Sequence, residues 1–226
     1  MEKQKPIVEV EFYLIRHGQS HGNAGYDRDD ITLKESNDPY LTALGVSQAE
    51  KLGAFLSDTN FDAVYSSALL RAVQTANEVI KRQDGEKALN ILPLLTEVSI
   101  SQDYCIDNLD EIRKICPTAV LADGVSLEDP LLYHNEYEDE AGMFERAVKA
   151  IDYLRSHYQN GEKVAVVAHA AFLTFFVFSL MGFTEVPVFD IDFSNTGITK
   201  VVLYRHGTNK YGDIIFEQIN STAHLK

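Results

Sequence analysis

Four places in the chain put a strong hydrogen-bond donor or a titratable group at the end of an apolar run, or just past it. Arg16 and His17 follow "VEVEFYLI" and open a glycine-rich turn, "RHGQSHGNAG". Arg71 lies shortly after "FDAVYSS", Glu97 closes "LNILPLLTE", and His169 closes "KVAVVAH". Together these groups have the composition of a phosphate site. Arginine presents a planar fork that matches phosphate oxygens, and Arg16 and Arg71 would supply two. A neutral histidine, His17, can attack phosphorus and carry the phosphoryl group covalently. A second one, His169, stabilises charge on the equatorial oxygens if it is protonated. The carboxyl group of Glu97 can protonate a leaving alcohol and then deprotonate water. Asn23 and the backbone N–H groups after His169, beginning at Ala170, would complete the cradle. With the cations already supplied by side chains, such a site requires no metal.

Each group taken alone also has an ordinary reading. His17 can be a satisfied histidine in a tight turn. Arg71 in "ALLRAVQTA" can snorkel over apolar neighbours, and Glu97 can be a solvated strand end. His169 is harder to dismiss, because a polar group ending a buried strand needs a partner. The glycines of "GQSHGNAG" match neither G-x-x-x-x-G-K-[ST] nor G-x-G-x-x-G, so a P-loop or Rossmann reading is rejected. The run "YHNEYEDE", with His134, reads as a solvated acidic face rather than a metal site.

The bulk properties narrow the classes of function. The 226 residues suit one α/β domain, and 45% hydrophobic content can build a core. A net charge of −14 argues against a nucleic-acid binder or an anionic-membrane binder, yet a few arginines in a cleft still set the local field. No apolar run reaches the ~18 residues that span a bilayer. "MEKQKPIVEV" lacks the apolar core of a secretory signal. Two cysteines, Cys105 and Cys116, form no disulfide framework, so a cytoplasmic protein is expected. The sequence sets no oligomeric state.

Stepping along the chain gives the elements that would hold the site. Strands are expected at 8–15 and 61–67, an extended segment broken by Pro93 at 89–97, a central strand at 163–169, and a final hairpin around "GTNKYG". Helices are expected at 42–56, capped by Thr42 with Leu44, Ala49, Leu52 and Leu56 inward, and at 68–82 with basic residues in its last turn. Two more are expected at about 142–158 and at 170–182, the latter closed by Gly182. Residues 24–40 read as a loop. Residues 98–140 read as an insertion over one end of the sheet, a lid on a single domain spanning 1–226. Strands alternating with helices imply an α/β fold with a mainly parallel sheet. Ligands in such sheets sit beyond the carboxyl ends of the strands, where all four polar pieces would converge.

With these motifs in order, the chain resembles the histidine phosphatase superfamily, in its phosphoglycerate-mutase-like branch. The carriers are "RHGQS" with Asn23, "YLTALGVSQAEKLGAFL", "VYSSALLRAVQTA", "LLTEVSI", "VAVVAHAAFL" and the tail "INSTAHL". The resemblance implies a three-layer α/β/α domain with no metal or organic cofactor. It implies His17 as phosphoryl carrier, Arg16, Arg71 and His169 on the phosphate with help from Asn23, and Glu97 as acid and then base. Two positions depart from the pattern. Ala170 stands where the family has glycine, and no glycine follows Glu97 in "VSISQD", which leaves Asp103 as a second candidate acid. The expected function is metal-independent hydrolysis of a small phosphate monoester. A phosphomutase and a weakly catalytic binding protein are the alternatives. The specificity determinants are expected in 24–40 and 98–140.

Overall fold

The computed structural model describes residues 5–24, 38–98, 109–126, 128 and 138–226. Among them a seven-stranded sheet has the order β4-β3-β2-β5-β1-β6-β7. Its strands are β1 (Val8–Arg16), β2 (Ala63–Ser66), β3 (Leu89–Ile91), β4 (Ala119–Leu121), β5 (Glu162–Ala168), β6 (Ile198–Tyr204) and β7 (Ile214–Ser221). The run from β4 to β1 is parallel, and β6 and β7 add an antiparallel hairpin at one edge.

Side-chain alternation along the strands divides the core in two. Tyr13 and Ile15 of β1 pack with α1 (Ala43–Phe55), α2 (Leu70–Ile80) and α3 (Leu109–Ile115). Val10, Phe12 and Leu14 pack with α4 (Glu140–His157) and α5 (Ala170–Leu180) on the opposite face. The result is the expected three-layer α/β/α architecture. β5 carries no polar face because both layers cover it, which is why "VAVVA" reads as an unbroken apolar run.

Local signals set the element ends. The Thr42 hydroxyl caps α1 by accepting from the Gly45 N–H at 3.0 Å. Pro93 opens a 3₁₀ turn over Pro93–Leu95 after β3, so the segment leading to Glu97 is a turn rather than strand. Gly182 follows α5 with a φ of 84°, the left-handed position that stops a helix.

Three expectations need correction. Leu44 is 54% exposed and faces away from the core, and the buried stripe of α1 is Gly45, Ala49, Leu52 and Gly53. Small residues take that stripe because α1 runs hard against its neighbours. The basic residues thought to close α2 fall beyond it, with Lys81 as the C-cap and Arg82 outside. Within the expected insertion, residues 109–121 supply α3 and the edge strand β4, which pairs with β3 as part of the sheet. Residues 99–108, including Asp103 and Cys105, and 129–137, including His134, lie outside the described residues. Among the described residues no helix is long and apolar enough to cross a membrane.

Candidate active site

Parallel pairing decides which groups meet. β1 and β5 are hydrogen-bonded neighbours with Arg16 opposite Ala168, so His17 and His169 leave the same end of the sheet side by side. The His17 N–H donates to the Ala168 carbonyl at 3.0 Å, and the ring centroids of the two histidines are 5.0 Å apart. β2 neighbours β5 on its other side and delivers Ser66 and Ser67, followed by α2 with Arg71.

His17 is 2% exposed. Its Nδ1 lies 2.7 Å from the Gly18 carbonyl oxygen. A carbonyl only accepts, so Nδ1 carries the proton and Nε2 presents its lone pair. The Arg71 Nε–H donates to that Nε2 at 3.3 Å. Burial foremost, then the guanidinium of Arg71 and that of Arg16, push the His17 pKa well below 6.5, against the opposing pull of the Gly18 carbonyl. The imidazole is therefore a neutral base at neutral pH, as a nucleophile must be.

His169 is fully buried. Its Nε2 is 2.7 Å from Ser67 Oγ, and its Nδ1 is buried without a protein partner. Burial first, then Arg71, His17, Arg16 and Arg146, hold its pKa well below 6.5. His169 is thus neutral in the free site, and the arginines supply the positive charge. Arg71 is 6% exposed and its Nη1 faces Asp38 Oδ1 at 3.5 Å. Arg16 donates through Nη1 to the Phe193 carbonyl at 2.5 Å, while its Nε is buried and unpartnered. Burial lowers the Arg16 pKa, and the nearby Glu97 and Asp192 carboxylates offset this.

Glu97 reaches the same place from the turn after β3. Its Oε1 accepts from the Val98 N–H at 2.9 Å and from the Phe172 N–H at 3.0 Å. Phe172 lies in the first turn of α5, whose N-cap is His169, and the positive end of that helix favours a carboxylate. The acid and the second histidine thus share one helix start. Ala170 is the first residue of α5. Among the described residues only Thr196 and Asn220 are non-glycine positions with positive φ. The glycine-to-alanine departure at 170 therefore carries no backbone strain. Asn23 is exposed, and its Oδ1 accepts from Ser20 and from Asn195 Nδ2 at 3.3 Å.

Several positioning groups were not singled out from the sequence. Ser67 orients His169, and a hydroxyl ending a buried strand is the same signal that drew attention to His169 itself. Both oxygens of Asp38 accept from the Leu70 N–H at 3.0 Å, so this buried carboxylate caps α2 and pairs with Arg71. Thr75 Oγ1 accepts from the Gly18 N–H at 3.0 Å and donates to the Arg71 carbonyl at 2.8 Å, tying the turn to α2. Thr196, at a φ of 57°, donates its N–H to the Arg16 carbonyl at 3.0 Å, and Asn195 Nδ2 donates to the His17 carbonyl at 3.0 Å. A β-branched residue in left-handed backbone is costly and persists where its surroundings over-determine it. No local pattern in "DFSNTG" marks it in advance.

A neutral imidazole lone pair beside two guanidinium groups, with a second imidazole and a carboxylate at the same end of the sheet, is the set of groups that phosphoryl transfer can use. The chain belongs to the histidine phosphatase superfamily, branch 1, whose family model matches residues 12–211. The adenosylcobalamin/alpha-ribazole phosphatase of Escherichia coli is 25% identical over 180 residues, covering 76% of this chain and 80% of that one. A 2,3-bisphosphoglycerate-dependent phosphoglycerate mutase of Rhizobium etli is 37% identical over 75 residues, which is 32% of this chain and 34% of that one. The match to the Rhizobium etli mutase, like that to the fructose-2,6-bisphosphatase TIGAR of Xenopus tropicalis at 27%, spans only about a third or less of the relative's own length. Phosphoserine phosphatase of Entamoeba histolytica, solved with 3-phosphoglyceric acid, shares the fold with a TM-score of 0.64 at 21% identity, over 96% of this chain and 100% of that one.

Proposed function

We propose that the protein hydrolyses a small phosphate monoester through a phosphohistidine on His17. The observation that carries this reading is the tautomer and charge of His17: Nδ1 is tied to the Gly18 carbonyl and Nε2 is an unprotonated lone pair held among cations. Arg16 and Arg71 bind the phosphate dianion, joined by Asn23 and the Ala170 N–H. In the first step the His17 Nε2 lone pair forms a bond to phosphorus and the P–O ester bond breaks. The acid form of Glu97 gives its proton to the leaving oxygen. In the second step water attacks the phosphohistidine, the carboxylate of Glu97 takes a proton from that water, and the P–N bond breaks to restore His17. Bound phosphate brings His169 the negative charge that favours its protonation, so its positive charge arrives with the ligand. The cations that this scheme uses are side chains, so it calls for no metal. The buried thiol of Cys116 is compatible with a reducing cytoplasm as its place of action.

The test is turnover of p-nitrophenyl phosphate at pH 5–8 with and without EDTA. Wild-type protein should release phosphate in both cases, and His17→Ala should neither turn over nor retain label from a phosphorylated substrate. Equal behaviour of wild type and His17→Ala would refute the proposal in favour of a binding protein. With 3-phosphoglycerate and 2,3-bisphosphoglycerate supplied together, equilibration of the 3-monophosphate with its 2-isomer without phosphate release would refute it in favour of a mutase. Glu97→Gln should lower kcat/KM, which reports the first chemical step, by ~10²-fold or more for alkyl phosphates and largely spare it for p-nitrophenyl phosphate, whose leaving group needs little protonation. Equal losses on both substrates would remove Glu97 from its role.

A further inference from the structure

Arg146 and Glu138 are the least explained charges close to the site. Arg146 is 6% exposed, on the core side of α4. Its Nε and Nη2 donate to Glu138 Oε1 and Oε2 at 2.8 and 2.6 Å, a two-pronged pair. Its Nη1 donates to two backbone carbonyls at once, Leu94 at 2.9 Å and Thr96 at 2.7 Å. Its guanidinium carbon also stands 4.7 Å from the centre of the Phe172 ring. Burying a guanidinium is expensive, and a surface pair on the same helix would stabilise it as well with less desolvation. The buried arrangement therefore needs a reason beyond holding α4 in place.

The carbonyls identify what is being held. Thr96 immediately precedes Glu97, and Leu94 lies in the 3₁₀ turn that delivers it. Phe172 is the residue whose N–H fixes Glu97 Oε1. One guanidinium thus grips the chain that carries the carboxylate and also stacks on the residue that receives it. We infer that Arg146, fixed by Glu138, is a positioning residue that aims the Glu97 carboxyl group at the leaving oxygen. This rests on the proposed role of Glu97 as acid and base. Arg146 touches no reacting atom. Lysine can replace it only in part, because one ammonium cannot bridge two carbonyls and a carboxylate in a plane.

A purely structural role would lower activity uniformly. A positioning role has a different signature in the first chemical step, since proton delivery to the leaving oxygen matters only for poor leaving groups. The experiment measures kcat/KM, which reports formation of the phosphohistidine, over a series of phosphate esters, from p-nitrophenyl to alkyl, for Arg146→Met, Arg146→Lys and the pair Arg146→Met/Glu138→Gln. The paired change removes both charges together and leaves no buried charge uncompensated. The expected result is a loss on alkyl phosphates of about 10- to 10²-fold and less than about 3-fold on p-nitrophenyl phosphate. Arg146→Lys should fall between the wild type and Arg146→Met. Adding Arg146→Met to Glu97→Gln should cost nothing further on alkyl phosphates. A loss independent of the leaving group, or losses that multiply in the double variant, would overturn the inference. So would wild-type kinetics in Arg146→Met. If Arg146→Met does not fold, Glu138→Gln and Arg146→Lys are measured on the same series, and a leaving-group-independent result for both has the same force. If Glu97→Gln itself shows no leaving-group dependence, the acid assignment fails. If it does and Arg146→Met does not, only this inference fails.

Discussion

Gly45 lies where α1 passes against the His17 turn, and replacing it with alanine tests the packing that holds His17, the proposed nucleophile. A Cβ built at 45 would fall 1.9 Å from the Gln19 carbonyl oxygen and 2.8 Å from its carbon, whereas real Cβ contacts stay beyond about 3.0 Å. Something must therefore move by roughly 1 Å or more. Nothing flexible is available, because the obstructing atoms are backbone. The helix cannot retreat toward α2 either, since a Cβ at Gly53 would meet the Glu78 carbonyl oxygen at 2.2 Å. α1 is thus wedged between α2 and the turn, and the turn must yield. Gly18, whose own Cβ would stand 2.6 Å from the Gly45 oxygen, moves with it and takes the carbonyl that fixes the His17 tautomer. Overpacking of this kind costs about 1–3 kcal/mol, a fall in Tm of roughly 3–10 °C at this chain length. A displacement near 1 Å at the nucleophile should lower kcat on p-nitrophenyl phosphate by ~10²-fold. Gly85→Ala is the control. Its φ is 73° with nothing within 4 Å of the new carbon, so it should cost about 1 kcal/mol in stability and leave kcat unchanged. Gly45→Ala protein with wild-type kcat would refute the reasoning, as would a loss of kcat in Gly85→Ala of similar size.

Further outcomes follow from the same geometry. His17 and His169 have folded pKa values held below the unfolded value near 6.5, so the unfolded chain binds protons first as pH falls. Stability should therefore drop from pH 6.5 to 5.5 by up to about 1.4 kcal/mol per pH unit for each histidine. Denaturant melts across that window check this, and a flat profile would contradict it. Phosphate binding should protonate His169, seen as a change in its imidazole ¹⁵N shifts on titration with phosphate; unchanged shifts at saturation would count against contact. Ser67→Ala removes the partner of His169 Nε2 and should lower kcat/KM by roughly 10-fold, with unchanged kinetics as the contrary result.

Most of the site was legible because its groups sit at strand ends, where a change from apolar to polar residues is visible in the chain itself. Arg16, His17, Arg71, Glu97 and His169 were each marked that way, and the structure brings all five to one end of the sheet. Their residue types also point to the proposed chemistry, since two guanidinium groups, two imidazoles and a carboxyl group are the groups a phosphate ester would need. The three layers were equally readable from the alternation of β-rich runs with amphipathic helices. Periodicity alone does not place Leu44, because α1 packs through glycine and alanine and so buries another face.

What the chain alone could not fix is everything that depends on distance between segments. The neutrality of His169 follows from complete burial beside three arginines, which no local pattern encodes. The grip of Arg146 on Thr96 spans 50 positions, and Asn195 reaches His17 across 178. Burial and mutual orientation are properties of the assembled layers: they arise only when the sheet has brought those segments within hydrogen-bond range. Residue types determined which reactions the protein is able to support, and tertiary structure decided the protonation state and aim of each group that would carry them out.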